Sequence, residues 1–188
     1  MDSVSVSAKR RIAELLLPGC VIGLATGGIA GGLAALAGLP VGYAAATVFT
    51  LGIPLAIFGM GYNLLLAAGR VRLGGVAPAA LYWLVFFPLA RLLHEIMFDI
   101  VSGMAITLPD TLVPFLAYQA ILSIGYAIGF VWLHEHLAPF WWIRVRGHNP
   151  VARRYVEQYT NQAAALQRRK EAQQDRHKKR RRTPSSAS

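Results

Sequence analysis

Apolar residues form four long runs along the chain, and short segments rich in glycine, proline or charged residues separate them. A helix rises 1.5 Å per residue, so about 20 apolar residues cross a hydrocarbon core of about 30 Å. Each of the four runs meets that length. The pattern predicts an all-α membrane protein in which residues 15–143 form a four-transmembrane-helix bundle, with spans at about 15–39, 41–68, 76–108 and 112–137.

Basic residues lie on one side of this predicted bundle. Residues 1–14 form a polar leader with three basic residues at positions 9–11, and the loop after the second run contains Arg70 and Arg72. The turns after the first and third runs contain no Lys or Arg. Short loops rich in Lys and Arg stay on the cytosolic side of a membrane. We therefore predict an N-in/C-in orientation with both termini cytoplasmic. The bias toward Ala, Gly, Leu and Arg suggests a bacterial plasma membrane.

The last 45 residues, 144–188, carry the positive charge of the chain. The 188 residues have a net charge of +10, and 55% are hydrophobic while only 15% are charged, a composition typical of membrane proteins. Residues 1–143 contain six basic and six acidic residues, whereas residues 144–188 contain thirteen basic and three acidic ones. We predict a basic cytosolic tail, helical from Pro150 to about Gln174 and disordered from Thr183.

A basic segment directly after a membrane helix attracts anionic lipid headgroups, at about 1 kcal/mol per basic residue near the surface. The tail could also bind an acidic protein partner. The chain has no zinc-finger spacing and no aromatic RNA-binding motif, which argues against specific nucleic-acid recognition. Trp141 and Trp142 precede the tail and predict an interfacial aromatic belt. The tail residues assigned to lipid or partner contact are Arg144, Arg146, Arg153, Arg154, Lys178, Lys179, Arg180, Arg181 and Arg182.

The third run carries ionisable residues in its middle. On a helix, Arg91, Glu95 and Asp99 fall within roughly 80° of one another, and His94 lies about 60° to the other side of Arg91. A charged group at the centre of a lipid-facing helix costs about 2.5–3.5 kcal/mol on insertion scales, so this face must turn toward protein or water. We predict a buried polar cluster of these four residues with Glu135 of the fourth run. Within it, an interhelical Arg91–Glu135 ion pair is geometrically feasible.

A second polar group is predicted at the cytosolic mouth of the bundle, from Asn63, His134 and His136. The histidines and nearby acids are residue types that bind zinc or iron. However, His94 is expected to lie about 13 Å closer to the outside than His134, by the helical rise, so one ion cannot be shared between them. We therefore expect neither a bound metal nor a cofactor. The single cysteine, Cys20, excludes an intrachain disulfide.

Small residues recur every four positions in the first run, at Gly19, Gly23, Gly27 and Gly31. This spacing is typical of a ridge on which another membrane helix packs closely, either in the same chain or in a second copy. A shorter pair, Gly125 and Gly129, lies in the fourth run.

With almost no extramembrane domain predicted, the function must lie in the bundle, the tail or a partner. We expect a non-enzymatic accessory or scaffold subunit that docks a membrane-protein partner, or a homo-oligomer, through the glycine ridge and the charged face. The alternative is a small proton-coupled transporter or channel that uses the cluster of Arg91, His94, Glu95 and Asp99. A third hypothesis, an intramembrane metalloenzyme, requires His94 and the other two histidines at one depth.

Overall fold

The structure of the chain is a computed structural model that describes residues 2–182, with side chains described for residues 7–174. Within these residues there are five α-helices: α1 (Asp2–Leu36), α2 (Val41–Ala67), α3 (Val76–Val101), α4 (Leu112–Val145) and α5 (Pro150–Arg182). Four of them contain stretches long and apolar enough to cross a membrane, at Ser7–Leu36, Val41–Ala67, Val76–Val101 and Leu112–Val145. The all-helical class and the four candidate spans are confirmed. The chain forms two compact units, divided between Trp141 and Trp142.

The third helix is shorter than its apolar run predicts. It ends at Val101 rather than continuing to residue 108. The cause is Gly103, whose φ of +68° is a left-handed conformation that ends a helix and that side chains beyond glycine disfavour. The Met104 N–H then donates to the Asp99 carbonyl, at 2.9 Å, and the chain leaves the helix axis. The apolar residues at 104–108 therefore form a loop.

α1, α4 and α5 extend beyond their predicted bounds, whereas α2 (Val41–Ala67) agrees with its predicted span to within one residue. α1 begins at Asp2, so the polar leader is helical, and α4 continues past residue 137 to Val145. α5 runs through the basic segment to Arg182, instead of ending near Gln174. Arginine, lysine, glutamine and alanine are strong helix formers, which explains the continuation of α5. The disorder predicted for residues 183–188 lies outside the described residues.

α1 and α2 pack antiparallel along the glycine ridge. Gly19, Gly23, Gly27 and Gly31 face successive turns of α2, at the backbones of Gly59, Leu55 and Ala56, Gly52 and Val48, and Ala44 respectively. A Cβ atom added at any of the first three ridge positions would overlap the backbone of α2. The absence of side chains is therefore what allows the two backbones to approach. The glycine ridge therefore packs against α2 of the same chain.

Large aromatic side chains join α2, α3 and α4. Trp83 of α3 lies edge-on to Tyr126 of α4, at a ring-centroid distance of 4.6 Å, and its ring is 4.8 Å from Phe130. Tyr62 of α2 contacts Phe130 at 5.3 Å. Tyr82 of α3 also donates a hydrogen bond from its hydroxyl to the Phe58 carbonyl, at 2.6 Å. Aromatic pairs of this kind stabilise a fold by more than the burial of their apolar surface alone.

In the second unit, the end of α4 and the start of α5 form a small core. Asn149 is the N-cap of α5, because its Oδ1 accepts from the N–H groups of Val151 and Ala152, and Pro150 occupies the first helical position. Trp142 is buried and its ring lies 4.5 Å from that of Tyr155. Trp142 thus packs inside this core, rather than in an exposed belt. Burial raises the pKa of Tyr155 to about 12, although the neighbouring charge of Arg154 opposes the shift.

The glycine ridge predicts a contrast between two faces of one helix. We expect Gly23→Ala to destabilise the protein by about 1–3 kcal/mol, the usual cost of overpacking, because the new Cβ would overlap α2. Gly28→Ala is the matched control, since a Cβ there meets no atom within 4 Å in the described part of the chain and alanine favours the helix. Equilibrium unfolding in mild detergent measures both. Equal destabilisation by the two variants would contradict this packing.

Candidate functional site: a polar junction and an ionic face of the bundle

A buried hydrogen-bond chain connects three helices at the end of the bundle where α1 and α3 begin, here called the basic end. His134 of α4 donates from Nε2 to Oδ1 of Asn63 of α2, at 2.8 Å. Asn63 in turn donates from Nδ2 to the Leu15 carbonyl of α1, at 2.9 Å. Asn63 and His134 are both buried. Because the amide has one acceptor and two donors, it can serve the imidazole and the carbonyl at the same time.

A third side chain completes this polar junction through a backbone defect in α1. Pro18 has no N–H, so the carbonyl of Glu14, four residues earlier, loses its normal helical partner. The Trp141 indole N–H donates to that carbonyl, at 2.7 Å. Trp141, which sequence analysis assigns to a lipid-interface belt, therefore contributes a specific hydrogen bond between α4 and α1. The polar junction consists of the Glu14 and Leu15 carbonyls, Asn63, His134 and Trp141.

The second buried histidine pairs with α2 at a different level. The Nδ1 atom of His94 on α3 lies 2.8 Å from the hydroxyl oxygen of Thr50 on α2. The Thr50 hydroxyl donates its single hydrogen to the Ala46 carbonyl, at 2.8 Å, so towards His94 it can only accept. The Nδ1 atom of His94 therefore carries the proton. Sequence analysis missed this partner, since a threonine in an apolar span is ordinary.

The two histidines do not form a common site. Their partners on α2, Thr50 and Asn63, are thirteen residues apart, which is about 20 Å along a helix. This separation is larger than the 13 Å expected from the sequence and is far beyond the reach of one ion. Among the described residues, no group of three or more His, Cys, Asp or Glu side chains could hold a metal ion.

Arg91 and Glu95 form an ion pair on the surface of α3. Arg91 Nη2 donates to Glu95 Oε1 at 2.9 Å, and the two side chains are 25% and 39% exposed. Their neighbour His94, by contrast, is buried. Asp99 is half-buried and accepts from both the N–H and the hydroxyl of Thr107, at 2.8 and 2.9 Å. We call Arg91, Glu95 and Asp99 the ionic face.

Two residues assigned to polar groups from the sequence have other surroundings. Glu135, expected beside Arg91, accepts from the Gly74 N–H in the loop between α2 and α3, at 3.0 Å. The predicted arginine–glutamate pair across helices is thus replaced by Arg91–Glu95 within α3 and by a loop contact of Glu135. His136 is exposed and donates to the Trp132 carbonyl at 2.6 Å, and its ring lies 4.3 Å from the Trp132 ring at an angle of 34°. It takes no part in the polar junction.

An open cavity on the surface, of about 530 Å³, borders the ionic face at the end of the bundle opposite the basic end. Its lining includes three carboxylates, those of Glu95, Asp99 and Asp110, beside Thr107 and Phe115. The cavity is therefore acidic, and it is formed by α3, the loop after it and the first turn of α4.

Those of the remaining predicted site residues whose side chains are described lie on surfaces. A Cβ added at Gly125 or Gly129 meets no atom within 4 Å in the described part of the chain, so this pair faces outward. Arg144, Arg146 and Arg154 are exposed, and Arg153 donates to the Arg146 and Gly147 carbonyls at the end of α4, each at 3.4 Å. The side chains of Lys178, Lys179, Arg180, Arg181 and Arg182 lie outside the described residues.

Comparison of the chain with protein-family models, curated proteins and solved structures finds no match.

The polar junction makes Asn63 a residue whose loss affects three helices. We expect Asn63→Ala to lower the free energy of unfolding by about 1–3 kcal/mol, because it removes the acceptor of the buried His134 Nε2–H and the donor to the Leu15 carbonyl. His136→Ala is the control and should change it by less than about 0.5 kcal/mol, since His136 is exposed. Unfolding in detergent, followed by circular dichroism, measures both. A stable Asn63→Ala variant would show that the junction contributes nothing.

The bond between Trp141 and Glu14 can be tested through the proline that creates it. Trp141→Phe should destabilise the protein by about 1–3 kcal/mol, because the Glu14 carbonyl loses its donor. In a Pro18→Ala background, the restored amide of residue 18 can donate to that carbonyl, so the same substitution should cost less. Trp132→Phe is the control at an exposed tryptophan. Equal costs of Trp141→Phe in both backgrounds would contradict the assignment.

Proposed function

We propose that the protein is a polytopic accessory or scaffold subunit of a membrane assembly, in a bacterial plasma membrane with both termini cytoplasmic. Its bundle docks a membrane-protein partner through the ionic face, and the basic α5 lies at the cytosolic membrane surface. The observation that carries this proposal is the partial exposure of the Arg91–Glu95 ion pair near the middle of an apolar span.

The depth of the ion pair makes its exposure costly in a lipid environment. Arg91 is the sixteenth of the 26 residues of α3, so it lies about 4 Å beyond the middle of the helix. An arginine at that depth is far from either membrane surface. Charged groups in membrane segments face protein or a water-filled space. A docked partner would remove the pair from lipid.

The interior of the bundle supports a structural role for the other polar groups. His94 pairs with Thr50 and His134 pairs with Asn63, both on α2. The side chains of α2 between these two partners, residues 51–62, are apolar or aromatic. Polar contacts between membrane helices of this kind fix helix packing. The ionic face is thus the part of the bundle where charged side chains have hydrogen-bonding capacity left for a partner.

A proton-coupled transporter or channel remains the second candidate, and one observation favours it. The acidic cavity beside Glu95 and Asp99 could admit water or a cation from the side opposite the basic end. A carrier would also need a polar path from these carboxylates to the basic end. Proton flux in liposomes that is lost in Glu95→Gln would favour this function.

The docking proposal predicts a partner that depends on the ion pair. We expect affinity purification of the tagged protein in mild detergent to recover a stoichiometric membrane partner, and Arg91→Ala to reduce that recovery about ten-fold or more, since truncating one member of a buried charge pair commonly costs 2–5 kcal/mol in binding. His136→Ala, at an exposed histidine away from the ionic face, is the control. Mass analysis of the eluted proteins measures the recovery.

Two results would count against docking. One is a protein that purifies as a monomer from native membranes under the mildest conditions. The other is a partner that is retained equally by the Arg91→Ala, Glu95→Gln and control proteins.

The basic α5 predicts a salt-sensitive contact with anionic lipid. We would place an environment-sensitive dye at Leu166→Cys in a Cys20→Ser background, because Leu166 is exposed on α5. In bilayer discs the dye signal should differ between anionic and neutral lipids. The difference should vanish near 1 M salt, where the screening length is about 3 Å. Replacing Arg168, Arg169 and Lys170 with glutamine should weaken it. Equal signals in both lipids would reject the electrostatic contact.

A further inference from the structure

We infer that the partner docked on the ionic face is a second copy of this chain, related by a two-fold axis along the membrane normal. This inference rests on the proposed function and names the partner of the same surface. It follows from the self-complementary charge pattern of Arg91 and Glu95.

The ion pair has unused hydrogen-bonding capacity. A guanidinium has five N–H donors and a carboxylate has two acceptor oxygens, each with two lone pairs. Among the contacts of the described residues, Arg91 uses Nη2 and Glu95 uses Oε1. The remaining donors and acceptors have no water to bind if the surface faces hydrocarbon. A partner must therefore supply both an acceptor and a donor at this depth.

A second copy of the chain supplies both the acceptor, its Glu95 carboxylate, and the donor, its Arg91 guanidinium. The Arg91–Glu95 pair is neutral as a unit, so a partner with a net charge would leave an excess in the membrane. Two copies inserted in the same orientation carry their ion pairs at the same depth. In a two-fold arrangement the like residues of the two copies lie at equal depth on opposite sides of the axis, and Arg91 and Glu95 of one helix differ in depth by about 6 Å. Each Arg91 side chain then reaches across the axis to the Glu95 of the other copy, so that the four groups alternate in sign around the axis as a ring. Asp99 is already bonded to Thr107 and need not join it.

The apolar surroundings of the ion pair fit the same contact. Leu84 lies two turns before Arg91 and within about 20° of it around the helix, and it is 43% exposed. Leu84, Arg91 and Glu95 therefore form a seam on one side of α3. Leu89 is similarly exposed, at 38%, but it lies about 160° away from Arg91. The seam is the predicted dimer contact, and the Leu89 side is not.

Cysteine cross-linking distinguishes these two sides. In a Cys20→Ser background, full-length protein in native membranes should form a cross-linked dimer through Leu84→Cys with a short bifunctional reagent. Leu89→Cys should give about ten-fold less product, because it faces away from the seam. Equal cross-linking at both positions, or none at Leu84→Cys, would overturn the proposed dimer.

Charge exchange tests the ionic ring itself. Arg91→Glu alone would bring four acids together in a dimer, and Glu95→Arg alone would bring four bases together, so each variant should lose self-association about ten-fold or more. Co-expressed with different tags, the two variants should pair with each other, because one copy then offers two acids and the other two bases. Recovery of that mixed pair also demonstrates that both variants fold. Failure of the mixed pair to form, with both proteins folded, would refute the ring.

The outcomes separate this inference from the proposed function. A chain that is monomeric by single-molecule counting, but that loses a different membrane protein on Arg91→Ala, overturns the second copy and keeps the docking subunit. A chain that is monomeric and has no partner overturns both.

Discussion

The bundle depends on the rule that polar groups in an apolar medium must find their partners within the protein. Pro18 violates this rule locally, because it removes the donor for the Glu14 carbonyl inside an apolar helix. The chain restores the balance with the Trp141 indole and adds Asn63 at the next carbonyl. The defect in α1 therefore becomes the place where α2 and α4 are attached to it. A residue that weakens a single helix here specifies the arrangement of three.

α2 is the helix against which α1, α3 and α4 pack, and two different kinds of packing hold them. On one side, glycines bring the backbone of α1 close, so that the contact is made of many small van der Waals interactions. On the other side, aromatic rings fill the wider space to α3 and α4, and the two histidine pairs fix their depth. The apolar contacts alone would permit sliding along the helix axes. The buried hydrogen bonds permit only one register.

The spacing of residues along the sequence and the 100° turn per helical residue made much of the helix packing predictable. The four-residue recurrence of glycine indicated a close helix contact, and the 100° step placed Arg91 and Glu95 together. The partner of His94 was not predictable, since Thr50 meets it only after the rotation and depth of α2 are fixed, whereas Asn63 and His134 already belonged to one polar group predicted from the sequence. Two further features follow from the sequence alone. A proline inside a helix always frees the carbonyl four residues earlier, and Ser102-Gly103 is a typical helix end.

The position of the ion pair at the bundle surface argues for specificity rather than stability as the reason for its presence. A buried or half-buried ion pair is often no more stabilising than apolar residues of similar size, because desolvation opposes the attraction. Leucines at positions 91 and 95 could face lipid with a smaller desolvation penalty. What apolar residues cannot do is fix the depth and rotation at which another helix docks. A neutral pair of opposite charges does so, and in this chain it lies at the one part of α3 that turns charged groups away from the core.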